Sequence, residues 1–308
     1  TLGDPQHIEN GELMRFDRVI ANPPFSLKKW GRDLAENDGY GRYRFGLPPK
    51  DAGDLAFVQH MISSLNNEGV MGVVVPHGVL FRGGSEGEIR KGILESDLLE
   101  AVIGLPSALF YGTGIPAALL ILNKQKDSEK KGKVLFINAE LEYQEGKNQN
   151  ILRDLDIKKI VSCFDSYEEI KRFSRVVSIE EIRENDHNLN IRRYADTSPP
   201  PENFDVKGIL HGGIPIREIQ DDYIQEVLNG FDVSSVLIQK DDKYMKFKDE
   251  VKDKSQIRQL IGDASDSIAE QFERWWDKYG ISLAQINSEV KESEVVMRDF
   301  LKELGYEI

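Results

Sequence analysis

The sequence predicts an α/β fold: a parallel sheet covered on both faces by helices, followed by a helical region. Three features predict it. Residues 70–75 form an unbroken apolar run, the signature of a strand buried on both faces. Leu55, Val58, Met61, Ile62 and Leu65 recur just before it at helical spacing. Strands and helices then alternate, the pattern of parallel strands joined by helical crossovers.

Taken in order, residues 16–21 read as a short buried strand that stops at Asn22-Pro23-Pro24. Proline has no N–H for a ladder, so pairing ends there. Residues 26–50 show little periodicity and read as a loop rich in Gly, Arg and aromatics. A helix opens at Asp54, and Asn66-Asn67-Glu68-Gly69 ends it, with Gly69 in the place of a C-cap. Ser85-Glu86-Gly87-Glu88 fits a capping box opening a helix through Leu94. Residues 99–105, 117–122 and 134–138 are further strands. The last pair is joined without a helix, so an antiparallel pairing is expected. Residues 106–116, with Phe110, Tyr111, Gly112 and Gly114, form a long connection. Thr197-Ser198-Pro199-Pro200-Pro201 reads as a linker. The expected division is therefore 1–196, a linker at 197–204, and an acidic helical region at 205–308. In that last region Ile257, Leu260, Ile261, Ala264, Ile268 and Phe272 share one helical stripe, and Val290, Met297, Phe300, Leu301 and Leu304 another.

The chain has 308 residues, 40% of them hydrophobic and 30% charged, an ordinary globular composition with enough for a sizeable core. No run approaches the roughly 18 apolar residues that span a bilayer. The first residues do not form a signal peptide. A cytoplasmic protein with no membrane partner is expected. The single cysteine, Cys163, excludes an internal disulfide and reads as a small core residue. It also lacks the preceding proline of a cytosine-C5 methyltransferase nucleophile, so that class is excluded. The five histidines show no metal-ligand spacing, so no metal is expected. The formal charge of −13 argues against a protein that grips nucleic acid alone. Residues 202–308 hold 14 basic and 23 acidic side chains. Residues 26–50 hold six basic and three acidic ones, so the one locally basic stretch directly follows the Asn-Pro-Pro-Phe tetrapeptide.

That tetrapeptide, Asn22-Pro23-Pro24-Phe25, carries the chemistry. The lone pair of an exocyclic ring amine is delocalised, so the amine is a poor nucleophile. A site that methylates it needs acceptors for its N–H groups, to orient the nitrogen and stabilise developing charge. The Asn22 amide oxygen is one acceptor and the Pro23 carbonyl, held by rigid Pro24, another. The Phe25 ring can stack on the base. A plain turn after a strand is the other use of such a sequence. Its place at a strand's carboxyl end favours a site, because sites in open α/β sheets lie there.

Residues 16–25 resemble motif IV of the N6-adenine DNA methyltransferases. The chain beyond residue 25 is similar to the modification subunit of type I restriction–modification systems. The matching stretches include Asp54-Leu55-Ala56-Phe57-Val58-Gln59-His60, Val75-Pro76-His77-Gly78-Val79-Leu80-Phe81-Arg82 and Leu109-Phe110-Tyr111-Gly112-Thr113-Gly114-Ile115-Pro116. Residues 103–106 and 188–194, and the ending at 301–306, also match. The stretches occur in family order. The resemblance implies a Rossmann-like class I methyltransferase sheet and S-adenosylmethionine as methyl donor. It implies adenine in DNA as substrate, and assembly with a specificity subunit and often a restriction subunit. It assigns Asn22, Pro23, Pro24 and Phe25 to catalysis. Asn22 and Phe57 fall at the donor, although a buried helix residue is the plainer reading of Phe57. Phe110 is a candidate to press on the flipped base or, equally, to anchor its loop in the core. Lys28, Lys29, Arg42 and Arg44, interleaved with Trp30, Tyr40, Tyr43 and Phe45, are candidates for DNA contact, a solvated loop being the alternative.

The family carries a glycine-rich donor loop well before the tetrapeptide. The 21 residues ahead of Asn22 hold no strand with such a turn. Gly112-Thr113-Gly114 lies in the wrong order, and Gly83-Gly84 follows no acidic strand end. An incomplete sheet lacking its first strands, with an exposed apolar edge, is expected. The chain then reads as the C-terminal portion of a longer subunit, inactive in isolation. Two other functions stay open. One is a non-catalytic assembly module that docks on a specificity subunit through Trp275-Trp276 and the 257–272 stripe. The other is a protein-glutamine or RNA amino-methyltransferase.

Overall fold

The apolar runs become the centre of a six-stranded sheet. Its elements in chain order are β1 (Phe16–Ala21), α1 (Asp54–Ser63), β2 (Leu65–Pro76), α2 (Ser85–Glu95), β3 (Leu99–Gly104), β4 (Ala117–Asn123), β5 (Lys133–Asn138), α3 (Asp154–Ser166) and β6 (Ser174–Ser178). This computed structural model describes residues 1–110, 114–198, 204–262 and 264–304. Tyr111, Gly112 and Thr113 of the connection, Pro199, Pro200 and Pro201 of the linker, and Gly305 and Tyr306 of the ending lie outside the described residues. The chain divides into two units, Thr1–Ser198 and Pro199–Ile308.

The strand order of the first unit is β1-β2-β4-β3-β5-β6. Strands β1 and β2 are parallel, as are β3 and β5, while β4 runs against both β2 and β3, and β6 against β5. The sheet is thus mixed rather than parallel. Residues 117–122 and 134–138 do run oppositely, but they are not neighbours. The connection after β3 returns the chain as β4 between β2 and β3, which places β3 between β4 and β5. Helices α1 and α2 bury Leu55, Val58, Ile89 and Leu94 against Val73, Val75, Val102 and Phe136 on one face. Ile160 and Cys163 of α3 cover Ala101, Ile103, Leu135 and Ile137 on the other. Each large apolar side chain fully buried in this way contributes about 1.5–3 kcal/mol. The β1 end is less covered: Ile20 is 87% exposed, and no described strand pairs with the outer side of β1.

Two predicted helix boundaries move. Helix α1 stops at Ser63, where Ser64 donates its hydroxyl to the His60 carbonyl, and β2 begins at once at Leu65. Phe16 lies opposite Leu65 and Arg18 opposite Val70, so residues 66–69 bulge out of the ladder. Gly69 closes that bulge instead of capping the helix; a Cβ there would come within 2.9 Å of the Leu65 side chain. At α2 the cap is Gly84 with φ +64°, and Ser85 is already helical, so the expected Ser–Glu box does not form.

The second unit is not purely helical. Strands β7 (Ile214–Pro215), β8 (Leu237–Gln239) and β9 (Tyr244–Phe247) form an antiparallel sheet in the order β8-β9-β7. The stripe expected over 257–272 is two helices, α4 (Lys254–Ile261) and α5 (Asp266–Trp275), parted after Gly262 takes φ +64°. Ile257, Phe272 and Trp275 are fully buried, and the Trp275 Nε1–H donates to Glu218 at 3.0 Å. Trp276 packs edge-on against Phe247. The tryptophans and this stripe therefore form the core of their own unit and are spent there, not offered to a partner. The following helix, α6 (Leu283–Glu303), has no buried residue over 21 positions.

Candidate functional site

Asn22 leaves the carboxyl end of β1. Asn22 and Pro24 are exposed; Pro23 and Phe25 are half-buried. The Phe25 ring meets Phe110 edge to face, with centroids 5.9 Å apart and planes at 76°, an arrangement aromatic quadrupoles favour. Phe110 comes from the β3–β4 connection and rests on the core beneath α3. Its loop is pinned from outside. The Asn150 backbone N–H donates to the Ala108 carbonyl at 2.9 Å, the Asn150 side chain to Ser107 at 2.9 Å, and Gln149 to the Leu109 carbonyl at 2.8 Å.

Beyond Phe25 the backbone turns through Ser26 at φ +47°. The Ser26 N–H donates to Asp54 Oδ1 at 2.7 Å. Asp54 opens α1 and is 2% exposed. Its Oδ2 lies 3.7 Å from Arg82 Nη1, which also lies 3.5 Å from Glu86 Oε1. Neither carboxylate oxygen makes a hydrogen bond to a described residue. Burial pushes both carboxyls above the usual carboxylate range; the Ser26 N–H and Arg82 pull Asp54 back, and Arg82 pulls Glu86. The Arg82 guanidinium lies on the bare Cα of Gly78, where a Cβ would sit 2.5 Å from Nη2.

Residues 26–50 form a packed cover on α1, not an open loop. Trp30 is 4% exposed and donates its indole N–H to the Pro49 carbonyl at 2.7 Å. It packs with Leu2, Ala35 and Ala56, and Phe57 lies half-buried against this group. Arg42, expected to face DNA, is buried: its Nε donates to Asp38 at 2.8 Å and its Nη1 to the Thr1 carbonyl. Its charge is consumed inside the fold. Arg44 is exposed, with its guanidinium 4.6 Å from the Phe45 ring centre. It lies close enough to Lys124 for its charge, after burial and with Arg15, to lower the ammonium's pKa. Lys124 binds the Leu65 carbonyl at the start of β2, the end of the sheet opposite Asn22. Arg44 thus neighbours the start of β2, whereas the tetrapeptide follows the end of β1. Lys28 and Lys29 remain exposed beside it.

Sequence reasoning named Phe25 and Phe110 separately, and the fold brings them together. It missed Asp54, Arg82 and Glu86 as a group, and Gln149 and Asn150. The available signal was Gly78 four residues before Arg82, a glycine that makes room for the arginine. Among the described residues no group of three or more His, Cys, Asp or Glu side chains could hold a metal ion. No described helix is long and apolar enough to cross a membrane.

Known proteins are similar to this chain in sequence and fold. The N-6 DNA Methylase family profile matches residues 1–203. The type I restriction enzyme MjaVII methylase subunit of Methanocaldococcus jannaschii is 42% identical over 238 residues, 74% of this chain and 41% of that protein. The MpnII methylase subunit of Mycoplasma pneumoniae is 35% identical over 237 residues, 73% of this chain and 42% of that protein. The crystal structure of a type I restriction-modification methyltransferase subunit from Streptococcus thermophilus superimposes with a TM-score of 0.59 at 42% identity, covering 64% of this chain and 41% of that one. The chain thus spans about two fifths of the length of these relatives. On the match over residues 1–203, which takes in β1 to β6 and the tetrapeptide turn, this chain belongs to the N-6 DNA methylase family.

Proposed function

We propose that this chain is the base-holding part of a site-specific DNA adenine-N6 methyltransferase, the modification subunit of a type I restriction–modification system. The observation that carries the reading is the Asn22–Phe25 turn at the carboxyl end of β1, with Phe25 edge-on to Phe110. A flipped adenine laid against Phe25 would donate its two N6 hydrogens to Asn22 Oδ1 and the Pro23 carbonyl. Both acceptors draw the amine out of conjugation with the ring and stabilise positive charge as N6 attacks, before a proton leaves it. Phe110 walls the base from the side. Stacking contributes about 1–3 kcal/mol per base, comparable with the few kcal/mol of extruding it. Lys28 and Lys29 supply phosphate contacts; Arg42 and Arg44 leave that set.

S-adenosylmethionine supplies the methyl group when bound. Among the described residues Asn22 and Phe57 are the candidates to touch it, and Phe57 is largely taken up by the Trp30 group. The rest of a donor pocket fits on the open side of β1, where Ile20 is 87% exposed and a neighbouring strand would bury it. We assign the donor-binding strands to that edge, and accordingly expect no methyl transfer from these residues alone.

The partners follow from the second unit. Leu283, Ile286, Val290, Met297, Phe300 and Leu304 fall at alternating spacings of three and four, with Ser293 at the remaining position, and these apolar residues are 42–73% exposed. That is a coiled-coil seam. Glu289, Glu294 and Glu303 flank it, so a second copy would set like charges face to face. A helix of the specificity subunit with basic flanks suits it; a restriction subunit would join that assembly. The test is methyl transfer to a cognate duplex by the methyltransferase–specificity complex. Asn22→Ala should lower kcat by about 100–1,000-fold; an unchanged rate would remove the reading.

A further inference from the structure

We infer that Asp54 is a positioning residue for the base-holding turn, with Arg82 and Glu86 as the charged frame that keeps its carboxylate in line. The inference rests on the function proposed above. Ser26 follows Phe25 directly and takes φ +47°, a left-handed conformation that non-glycine residues hold only when the surroundings impose it. What imposes it is the 2.7 Å hydrogen bond from its N–H to Asp54 Oδ1, a length typical of a charge-assisted contact. The direction in which Phe25 enters the site is set one peptide upstream of that bond.

The frame around Asp54 is unusual for a purely structural element. A carboxylate 2% exposed loses its hydration, and proteins ordinarily compensate it with several hydrogen bonds. Here Oδ2 makes none to a described residue, and its cation, Arg82, stands at 3.7 Å and is shared with Glu86 at 3.5 Å. Two buried acids thus draw on the Arg82 guanidinium, with the Arg90 charge also acting on Glu86. That guanidinium is set by its own scaffold. Its side chain lies on Gly78, and its carbonyl accepts from Arg90 Nη1 at 2.9 Å. Arg90 in turn binds the Val79 carbonyl at 3.1 Å and the His187 carbonyl at 2.7 Å. The chain of contacts runs from the α2 helix through Arg82 and Asp54 to Ser26, and ends at Phe25. It orients a ring without itself touching the base.

The test uses Asp54→Ala and Asp54→Asn. Asparagine keeps an acceptor for Ser26 but turns a donor or a neutral oxygen toward Arg82; alanine keeps neither. In this chain, amide hydrogen exchange at Ser26 should speed by about 10-fold or more in the alanine variant and less in the asparagine variant. In the complete methyltransferase with its partners, the single-turnover rate per folded site should fall by about 10–100-fold for alanine, with KM for DNA within about twofold. The fluorescence rise of 2-aminopurine at the target position should fall with it. Wild-type Ser26 protection in Asp54→Ala overturns the inference. So does a rate loss that only tracks the folded fraction, with the 2-aminopurine signal per folded site unchanged. If Asn22→Ala keeps its rate, the function itself fails and the positioning role falls with it. If Asn22→Ala is inactive and Asp54→Ala is not, this inference alone fails.

Discussion

Replacing Gly78 with alanine tests the charged frame without touching a charged residue. The new methyl would lie 2.5–2.6 Å from Arg82 Nη2, Nε and Cζ, about 1 Å inside ordinary contact. The Arg82 side chain is 38% exposed, so it can swing to solvent at little steric cost. The cost lies in what it leaves: Asp54, buried without its cation, and Glu86, buried with only the Arg90 charge near it. Stripping one partner from a fully buried pair costs about 3–5 kcal/mol. These pairs are long and partly solvated, so we expect about 1–2 kcal/mol. For a unit of this size that is a Tm lower by about 2–8 °C. The loss has a pH signature. Burial holds both carboxyls above their unfolded pKa values, and losing Arg82 would raise them further. A group with a raised folded pKa favours the fold while protonated, and that advantage disappears as pH rises through the folded pKa. The Gly78→Ala deficit should therefore be larger at pH 8 than at pH 5. Thermal unfolding of both proteins at the two pH values checks it. Equal Tm values, or a deficit that does not change with pH, would refute the assignment of Arg82 to these acids.

Three further outcomes are expected. Phe110→Ala removes a wall of the base site and should lower the flipped population, and the methylation rate, by about 2–13-fold, corresponding to about 0.5–1.5 kcal/mol of edge-to-face aromatic contact; 2-aminopurine fluorescence with the cognate duplex reports it. The His60 imidazole, held down to about 4 by burial and by Arg42, stabilises the fold while neutral. That stability is present above pH 6.5 and is lost between pH 6.5 and 4, so urea unfolding should show about 1 kcal/mol less stability at pH 5 than at pH 7 from this group once solvent screening is allowed for, and His60→Gln should flatten the difference. Val290→Asp, at a position 51% exposed on α6, should leave Tm unchanged and abolish co-elution with the specificity subunit in gel filtration.

What the sequence showed, and what it hid, divides by the range of the interactions involved. The end of β1 was legible because Pro23 and Pro24 forbid pairing whatever surrounds them. Helix α1 and strand β2 were legible because their apolar periodicity is local. Where α1 stopped was not, because the Asn66–Gly69 cluster that looks like a helix end is a bulge made by pairing Phe16 with Leu65 and Arg18 with Val70. The insertion of β4 between β2 and β3 depends on partners far along the chain. So does the fate of Trp275, whose stripe reads the same whether it faces a partner or its own sheet. The site was half legible. The tetrapeptide carries its own chemistry, but its company does not: Arg42 looked like an open phosphate ligand until Asp38 and the Thr1 carbonyl enclosed it. Asp54 looked like a helix-opening acid until Ser26 met it.

The central claim is that the Asn22–Phe25 turn holds an adenine for methylation at N6. The most direct measurement is mass spectrometry of nucleosides from a cognate duplex after reaction with the methyltransferase complex carrying this chain. N6-methyladenine is expected from the wild type at an initial rate about 100–1,000-fold above that of Asn22→Ala. Methylated cytosine, methyl transfer to RNA or to protein glutamine instead of DNA, or N6-methyladenine undiminished in Asn22→Ala would contradict the claim.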